Sequence, residues 1–151
     1  MLTKIVQTDD DVSRCVLRVL LGVVMFPHGA GKLLGWFGGG GFLATMNGLT
    51  GMGLPAVIAF LVIVAECLGA LGLIVGFLTR IAALGIGSVM AGAIFMVHWR
   101  HGFFMNWFGA QAGEGFEYHL LAIAIVLALI LKGAGRWSVD RILSQKKVGP
   151  A

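Results

Sequence analysis

The sequence predicts an all-α fold: a four-helix transmembrane bundle with both termini cytoplasmic and an interfacial segment between spans one and two. Three observations carry that expectation. First, 58% of the 151 residues are hydrophobic and only 12% are charged, with a mean hydropathy of +0.94. An average soluble domain is about 25% charged, and a chain this short has too little interior to hide so much apolar surface. Second, four apolar stretches are long enough to cross a hydrocarbon core of roughly 30 Å, which takes about 20 helical residues. Third, the positive charges segregate. With four spans, Lys4, Arg14, Arg18, Arg80, Lys132, Arg136, Arg141, Lys146 and Lys147 fall on the side of the termini, and only Lys32 and Arg100 fall on the other. By the positive-inside rule the termini face the cytoplasm. The pI of about 9.5 therefore reflects topology and not a nucleic-acid partner. The length allows one bundle and no separate soluble domain.

Taken in order, residues 1–13 form a polar N-terminal segment. Asp9, Asp10 and Asp11 precede the first apolar run and no small-x-small cleavage site follows it, so the run reads as an uncleaved span and not a signal peptide. The four-span domain covers 14–135. Span one, about 14–34, carries Arg14, Arg18, Met25, His28 and Lys32 on one broad stripe, with Pro27 able to bend the helix. Residues 35–54 are a glycine-rich connection, flexible through Gly38–Gly41. There Phe42, Leu43, Met46 and Leu49 suggest a short amphipathic turn in the membrane interface. The run lacks the following lysine–serine or lysine–threonine pair of a phosphate loop.

Span two, about 55–78, opens on Pro55, whose missing N–H does no harm at a helix start. Glu66 is the one charge in it. The Gly72–Gly76 spacing is a small-xxx-small pattern that lets another helix approach. Thr79-Arg80 turns the chain into span three, about 81–99, which ends near His98. The loop to 116 is rich in aromatics suited to an interfacial belt, as are Trp36, Trp99, Trp107 and Trp137. Span four, about 116–132, carries Glu117 and His119 in its first turn. Gly133-Ala134-Gly135 ends it, Ser138 can cap a short helix, and 136–151 form a basic cytoplasmic tail. Cys15 and Cys67 are expected to be buried thiols and not a disulfide.

This topology sets depths through the 1.5 Å helical rise: His28 lies about 20 Å up from the cytoplasmic edge, and Glu66 about 16 Å below the outer one. His98, Glu117 and His119 lie near the outer boundary. Every span thus contributes a polar group to the outer half of the bilayer. Intramembrane ionisable residues mark functional sites or paired packing knots, and both readings stand for these. Glu66 can reduce its burial cost by staying protonated, or by pairing with Lys32, His28 or His98. His28, His98 and His119 can also be considered as metal or haem ligands, although no Glu-x-x-His or Cys-x-x-Cys-His motif supports that, and no metal site is expected.

The sequence resembles the DoxX family of small four-helix membrane proteins. The resemblance lies in Arg18 with His28-Gly29-x-x-Lys32, Gly53-x-Pro55 leading to Ala65-Glu66, and Gly76-Phe77-x-Thr79-Arg80. It continues in His98 with Gly102-Phe103-Phe104, then Glu117, then Gly133-x-Gly135-x-x-Ser138-x-Asp140. It covers nearly the whole chain, leaving out the glycine run and the tail. The family is associated with membrane redox work, including a thiosulfate:quinone oxidoreductase subunit and thiol or oxidative-stress complexes.

The resemblance implies an inner-membrane, multi-pass, quinone-linked redox protein or oxidoreductase subunit, with lipid, quinone and a redox partner protein or further copies of the chain as its company. Glu66 and His28 are the expected catalytic pair. Lys32, His98, Arg100, Glu117 and His119 are the expected substrate-binding residues, with Lys32 and Arg100 able to hold an anionic reductant. No iron–sulfur or nucleotide fingerprint is present, so electrons would come through a bound quinone, haem or flavin, or through a partner. A non-catalytic scaffold and an oligomeric solute or proton conductor are the alternative readings.

Overall fold

The computed structural model describes residues 5–145; Lys4, Lys146, Lys147 and the rest of the expected basic tail beyond 145 lie outside the described residues. All regular structure among them is helical: α1 Val12–Leu34, α2 Gly41–Gly51, α3 Ala56–Val75, α4 Thr79–Ala93, α5 Glu117–Lys132 and α6 Val139–Gln145. A π-helical turn, Ile94–His98, and a 3₁₀ turn, Trp99–His101, prolong α4. Three of the long helices are apolar and long enough to cross a membrane: Val12–Leu34, Ala56–Val75 and Thr79–His101. α5 has 16 residues, about 24 Å of helix, and is shorter than those three.

α1 packs chiefly on α3, α3 on α4 and α4 on α5, with a lighter α5–α1 contact closing the ring. Leu21, Met25, Leu73, Ile86, Val126 and Leu129 fill the middle. The outside is equally apolar: Leu20 on α1, Leu68 on α3, Leu84 on α4 and Leu131 on α5 are each more than half exposed. Charged groups are inside instead, among them Arg18, Glu66 and Asp140, each 3% exposed or less. A soluble protein does the reverse, so these outer faces are built for lipid.

Small residues bring α1 and α3 together. A Cβ on Gly29 would meet the Cys67 backbone nitrogen at 2.4 Å, and one on Gly22 would meet the Ala70 carbonyl oxygen at 2.8 Å. Pro27 is accommodated inside α1. Both cysteines are buried and free.

The end of the bundle bearing the termini is tied by side-chain bonds to the backbone. The Arg18 guanidinium donates to the carbonyls of Leu73, Ile74, Ala134, Arg136 and Trp137. Asp140 accepts from the backbone N–H of Leu78 at 2.8 Å and of Thr79 at 2.9 Å, so it satisfies donors that the start of α4 leaves open. Arg80 donates to the carbonyls of Ile5, Gln7 and Ile130, and Ser138 accepts from the Arg141 N–H as the cap of α6.

Three local expectations need correction. Gly76 does not seat the backbone of a neighbouring span: it ends α3 in the left-handed conformation, φ 70°, which glycine adopts without steric cost, and it admits Ser138 and the Arg18 guanidinium, which a Cβ would meet at 2.4 Å and 3.0 Å. The short interfacial turn is instead an eleven-residue helix, α2, and none of its residues is buried. The glycine run is not a loose tether either, because Gly39 lies backbone to backbone on Gly31.

Candidate functional site

Glu66 occupies the midpoint of α3 and is 3% exposed. In a helix otherwise without charge, a bare carboxylate there would be costly. Lys32, from the last turn of α1, reaches across and pairs with it. The partners differ in exposure: the Glu66 side chain is 4% exposed and that of Lys32 is 31% exposed. The pair therefore has a buried acidic end and a cationic end that opens outward. Of the three partners expected for Glu66, the structure selects Lys32.

The open end faces a pocket of about 230 Å³ whose lining includes Pro27, His28, Lys32, Trp36, Phe37 and Thr45, with the glycines between. Local rules explain its shape. α1 stops at Gly35, φ 76°, whose N–H closes on the Gly31 carbonyl, the glycine ending that helices favour. The chain then turns over itself through Trp36–Gly38. A Cβ on Gly39 would meet the Gly31 carbonyl oxygen at 2.3 Å, and one on Gly31 would meet the Trp36 carbonyl oxygen at 3.1 Å, so the glycine run folds down closely as the pocket's rim. Thr45 of α2 donates to the Lys32 carbonyl at 3.2 Å, which fixes α2 beside the same turn. His28 lies one helical turn before Lys32 and is exposed on the pocket wall.

A second polar group sits where α4 and α5 meet. The rings of His98 and His119 lie 4.2 Å apart, centroid to centroid. Nδ1 of His98 is 2.8 Å from the Glu114 carbonyl oxygen; an oxygen there can only accept, so that nitrogen carries the proton. His119 is 7% exposed, and its Nδ1 has no hydrogen-bond partner among the described residues. The ring contact brings together residues expected on spans three and four, while His28 of span one lines the pocket beside Lys32.

Glu117 and Arg100 do not join them. Glu117 accepts from the Met105 N–H at 2.9 Å and holds the connecting loop, while Arg100 is exposed on the 3₁₀ turn. Among the described residues, no group of three or more His, Cys, Asp or Glu is placed to hold a metal ion.

Tyr118 and Thr45 belong to this end of the bundle and were not singled out from the sequence. Tyr118 donates its hydroxyl to Met25 Sδ at 3.6 Å. Its signal was available, since it is the chain's single tyrosine and directly precedes His119 in an aliphatic helix. The expected interface anchors are all on the outside: Trp36, Trp99, Trp107 and Trp137 are each more than half exposed.

The DoxX family profile matches residues 14–99, which include all but the first two residues of α1, all of α3 and α4, and the Lys32–Glu66 pair. The inner membrane protein YqjF of Escherichia coli strain K12 is 30% identical over 137 residues, covering 91% of this chain and 96% of the relative. A Bacillus subtilis strain 168 protein named Putative oxidoreductase CatD is 29% identical over 119 residues, 79% of each chain. No solved structure matches the chain. With the profile, the length of the match and the apolar helices in agreement, this chain belongs to the DoxX family and is a multi-pass inner-membrane protein.

Proposed function

We propose that the chain is a quinone-binding component of an inner-membrane oxidoreductase, with the quinone ring in the pocket beside Lys32. The observation that carries this reading is the half-open Lys32–Glu66 pair, whose cationic end lines that pocket. A dry cavity of about 150 Å³ accepts benzene, so about 230 Å³ suits a substituted ring while leaving an isoprenoid tail to run out into lipid. The Lys32 ammonium and the His28 imidazole supply donors for a ring carbonyl, and Trp36 and Phe37 supply flat apolar faces. The relative whose name includes oxidoreductase points the same way.

Reduction of a quinone takes two electrons and two protons. Lys32 can hold a hydrogen bond at the carbonyl oxygen where negative charge develops, a placement that lowers the barrier electrostatically. Lys32 can give a proton to the reduced ring and take one back from water at the open end of the pocket, while the Glu66 carboxylate behind it favours the ammonium form. The electrons come from a partner subunit or its reductant, because no carrier motif occurs in this chain. We place α5 as a fourth span, its 16 residues completed at one end by the aromatic loop, with both termini cytoplasmic as the charge distribution requires.

The test is quinone binding to nanodisc-embedded protein, read as quenching of tryptophan emission by a short-chain ubiquinone analogue. Glu66→Gln should fold, because Lys32 is open enough to take up water when its partner is neutralised. Both Glu66→Gln and His28→Ala should weaken binding about tenfold, the loss expected for one charge-assisted hydrogen bond. Folded variants that bind like the parent would end the quinone reading. Variants that fail to fold would move the cluster to the scaffold reading, in which it specifies packing alone.

A further inference from the structure

A second cavity lies at the opposite end of the bundle, about 630 Å³ between the end of α3 and α6. We propose that it seats an anionic phospholipid, with the phosphodiester on Arg136 and Arg141 and the acyl chains along Val75, Val139 and Ile142. Its lining is divided as a phospholipid is. Arg136, Arg141 and Gln145 are polar, whereas Val75, Val139 and Ile142 are apolar. Val75 and Ile142 are 51% and 55% exposed, so the apolar part is open to a chain arriving from the side. The depth also fits. α3 spans 20 residues and ends at Val75, about 30 Å of helix against a hydrocarbon core of the same thickness. The groove therefore lies where hydrocarbon gives way to headgroups. Trp137 is 70% exposed at this level, as expected for an indole at a membrane interface.

The charges are built into position. Asp10 sits between the two guanidiniums, 3.4 Å from Arg136 Nε and 3.2 Å from Arg141 Nη1, and aligns both while engaging one nitrogen of each. The Arg136 guanidinium carbon lies 4.9 Å from the Trp137 ring centroid. The backbone beneath is pinned, since buried Arg18 holds the carbonyls of Arg136 and Trp137 and the Arg136 N–H donates to the Asp11 carbonyl at 2.9 Å. Two arginines and one aspartate leave one net positive charge. That balances the single negative charge of a phosphodiester, and the planar forks suit its oxygens.

The experiment reconstitutes the full chain in nanodiscs of equimolar phosphatidylglycerol and phosphatidylcholine and counts retained lipids by native mass spectrometry. Phosphatidylglycerol should be retained about tenfold over phosphatidylcholine, the scale set by the attraction of basic residues to anionic lipid. Arg136→Gln/Arg141→Gln should bring the ratio close to one, and Asp10→Asn should raise it. If the double variant does not fold, Arg141→Gln alone should lower the ratio at least threefold, because its side chain is already 24% exposed. Equal retention of the two lipids, or a preference that survives loss of the arginines, would overturn the proposal. So would displacement of the lipid by millimolar inorganic phosphate, which would mean that the site reads a free anion and not a lipid.

Discussion

Replacing Gly29 by alanine asks whether the site depends on the closeness of two backbones. The added methyl would stand 2.4 Å from the Cys67 nitrogen and 2.5 Å from the Glu66 carbonyl carbon, where ordinary van der Waals contact begins near 3.4 Å. The obstacle is backbone on a helix that cannot bend away, so α1 and α3 must part by about an ångström at the level of Glu66. Overpacking of this kind costs about 1–3 kcal/mol, and for a domain of this size about 2 kcal/mol lowers the melting midpoint by roughly 4–8 °C. The same displacement lengthens the Lys32–Glu66 bond, so affinity for the quinone analogue should fall more than it does in a variant of equal stability loss elsewhere, such as Leu129→Ala. The assay is thermal unfolding in detergent, followed by binding well below the midpoint. A Gly29→Ala protein with unchanged midpoint and unchanged affinity would refute the packing of α1 on α3 and the coupling of that packing to the site.

Other outcomes follow from the remaining contacts. Arg18→Lys keeps the charge but offers three donors where the guanidinium serves five carbonyls; at about 1–3 kcal/mol for each stranded group, the yield of monodisperse protein should collapse, as size-exclusion chromatography would show. Asp140→Ala should cost about 1–2 kcal/mol, as for loss of a helix cap, with Asp140→Asn in between, measured by the thermal midpoint. His119→Phe removes a buried nitrogen that has no partner and should leave the midpoint unchanged or raised; a fall of several degrees would mean that the imidazole makes a bond essential to the fold. Gly39→Ala should weaken quinone binding while the bundle stays folded, because its methyl would meet Gly31 at the pocket rim and not in the core.

Much of the fold could be read directly from the chain because lipid imposes few solutions. The apolar stretches, their approximate ends and the burial of both thiols follow from hydropathy and helix length. The partnership of Glu66 with the Lys32 region was also accessible, since a lone charge at the middle of an apolar helix demands a partner at similar depth. What depth cannot give is rotation about the helix axis. His28 and Lys32 share a stripe by spacing, yet one is exposed on the pocket wall and the other reaches inward. Glu117 lies at the right height but turns to the loop, and Arg100 stays outside. The roles of the motif residues were also mixed together. Arg18, Arg80, Ser138 and Asp140 belong with His28 and Glu66 in the family pattern, but they bind backbone at the far end of the molecule. Sequence order records that such residues recur together and says nothing of which end they serve. Glycines were the least readable, because flexibility, capping and close approach leave the same letter.

The Arg18 junction has a consequence for biogenesis. α1 is made before the other helices it packs on, and the carbonyl that Arg18 binds at Ala134 lies 116 residues later in the chain. At about 5–20 residues per second, the guanidinium waits on the order of ten seconds in or near the membrane before that acceptor exists. Until then only the Leu73 and Ile74 carbonyls of α3 are available to it, and the guanidinium is satisfied in part. Arg18 gains its full set of acceptors only when residues 134–137 arrive, so a chain truncated before them should be recovered folded in lower yield.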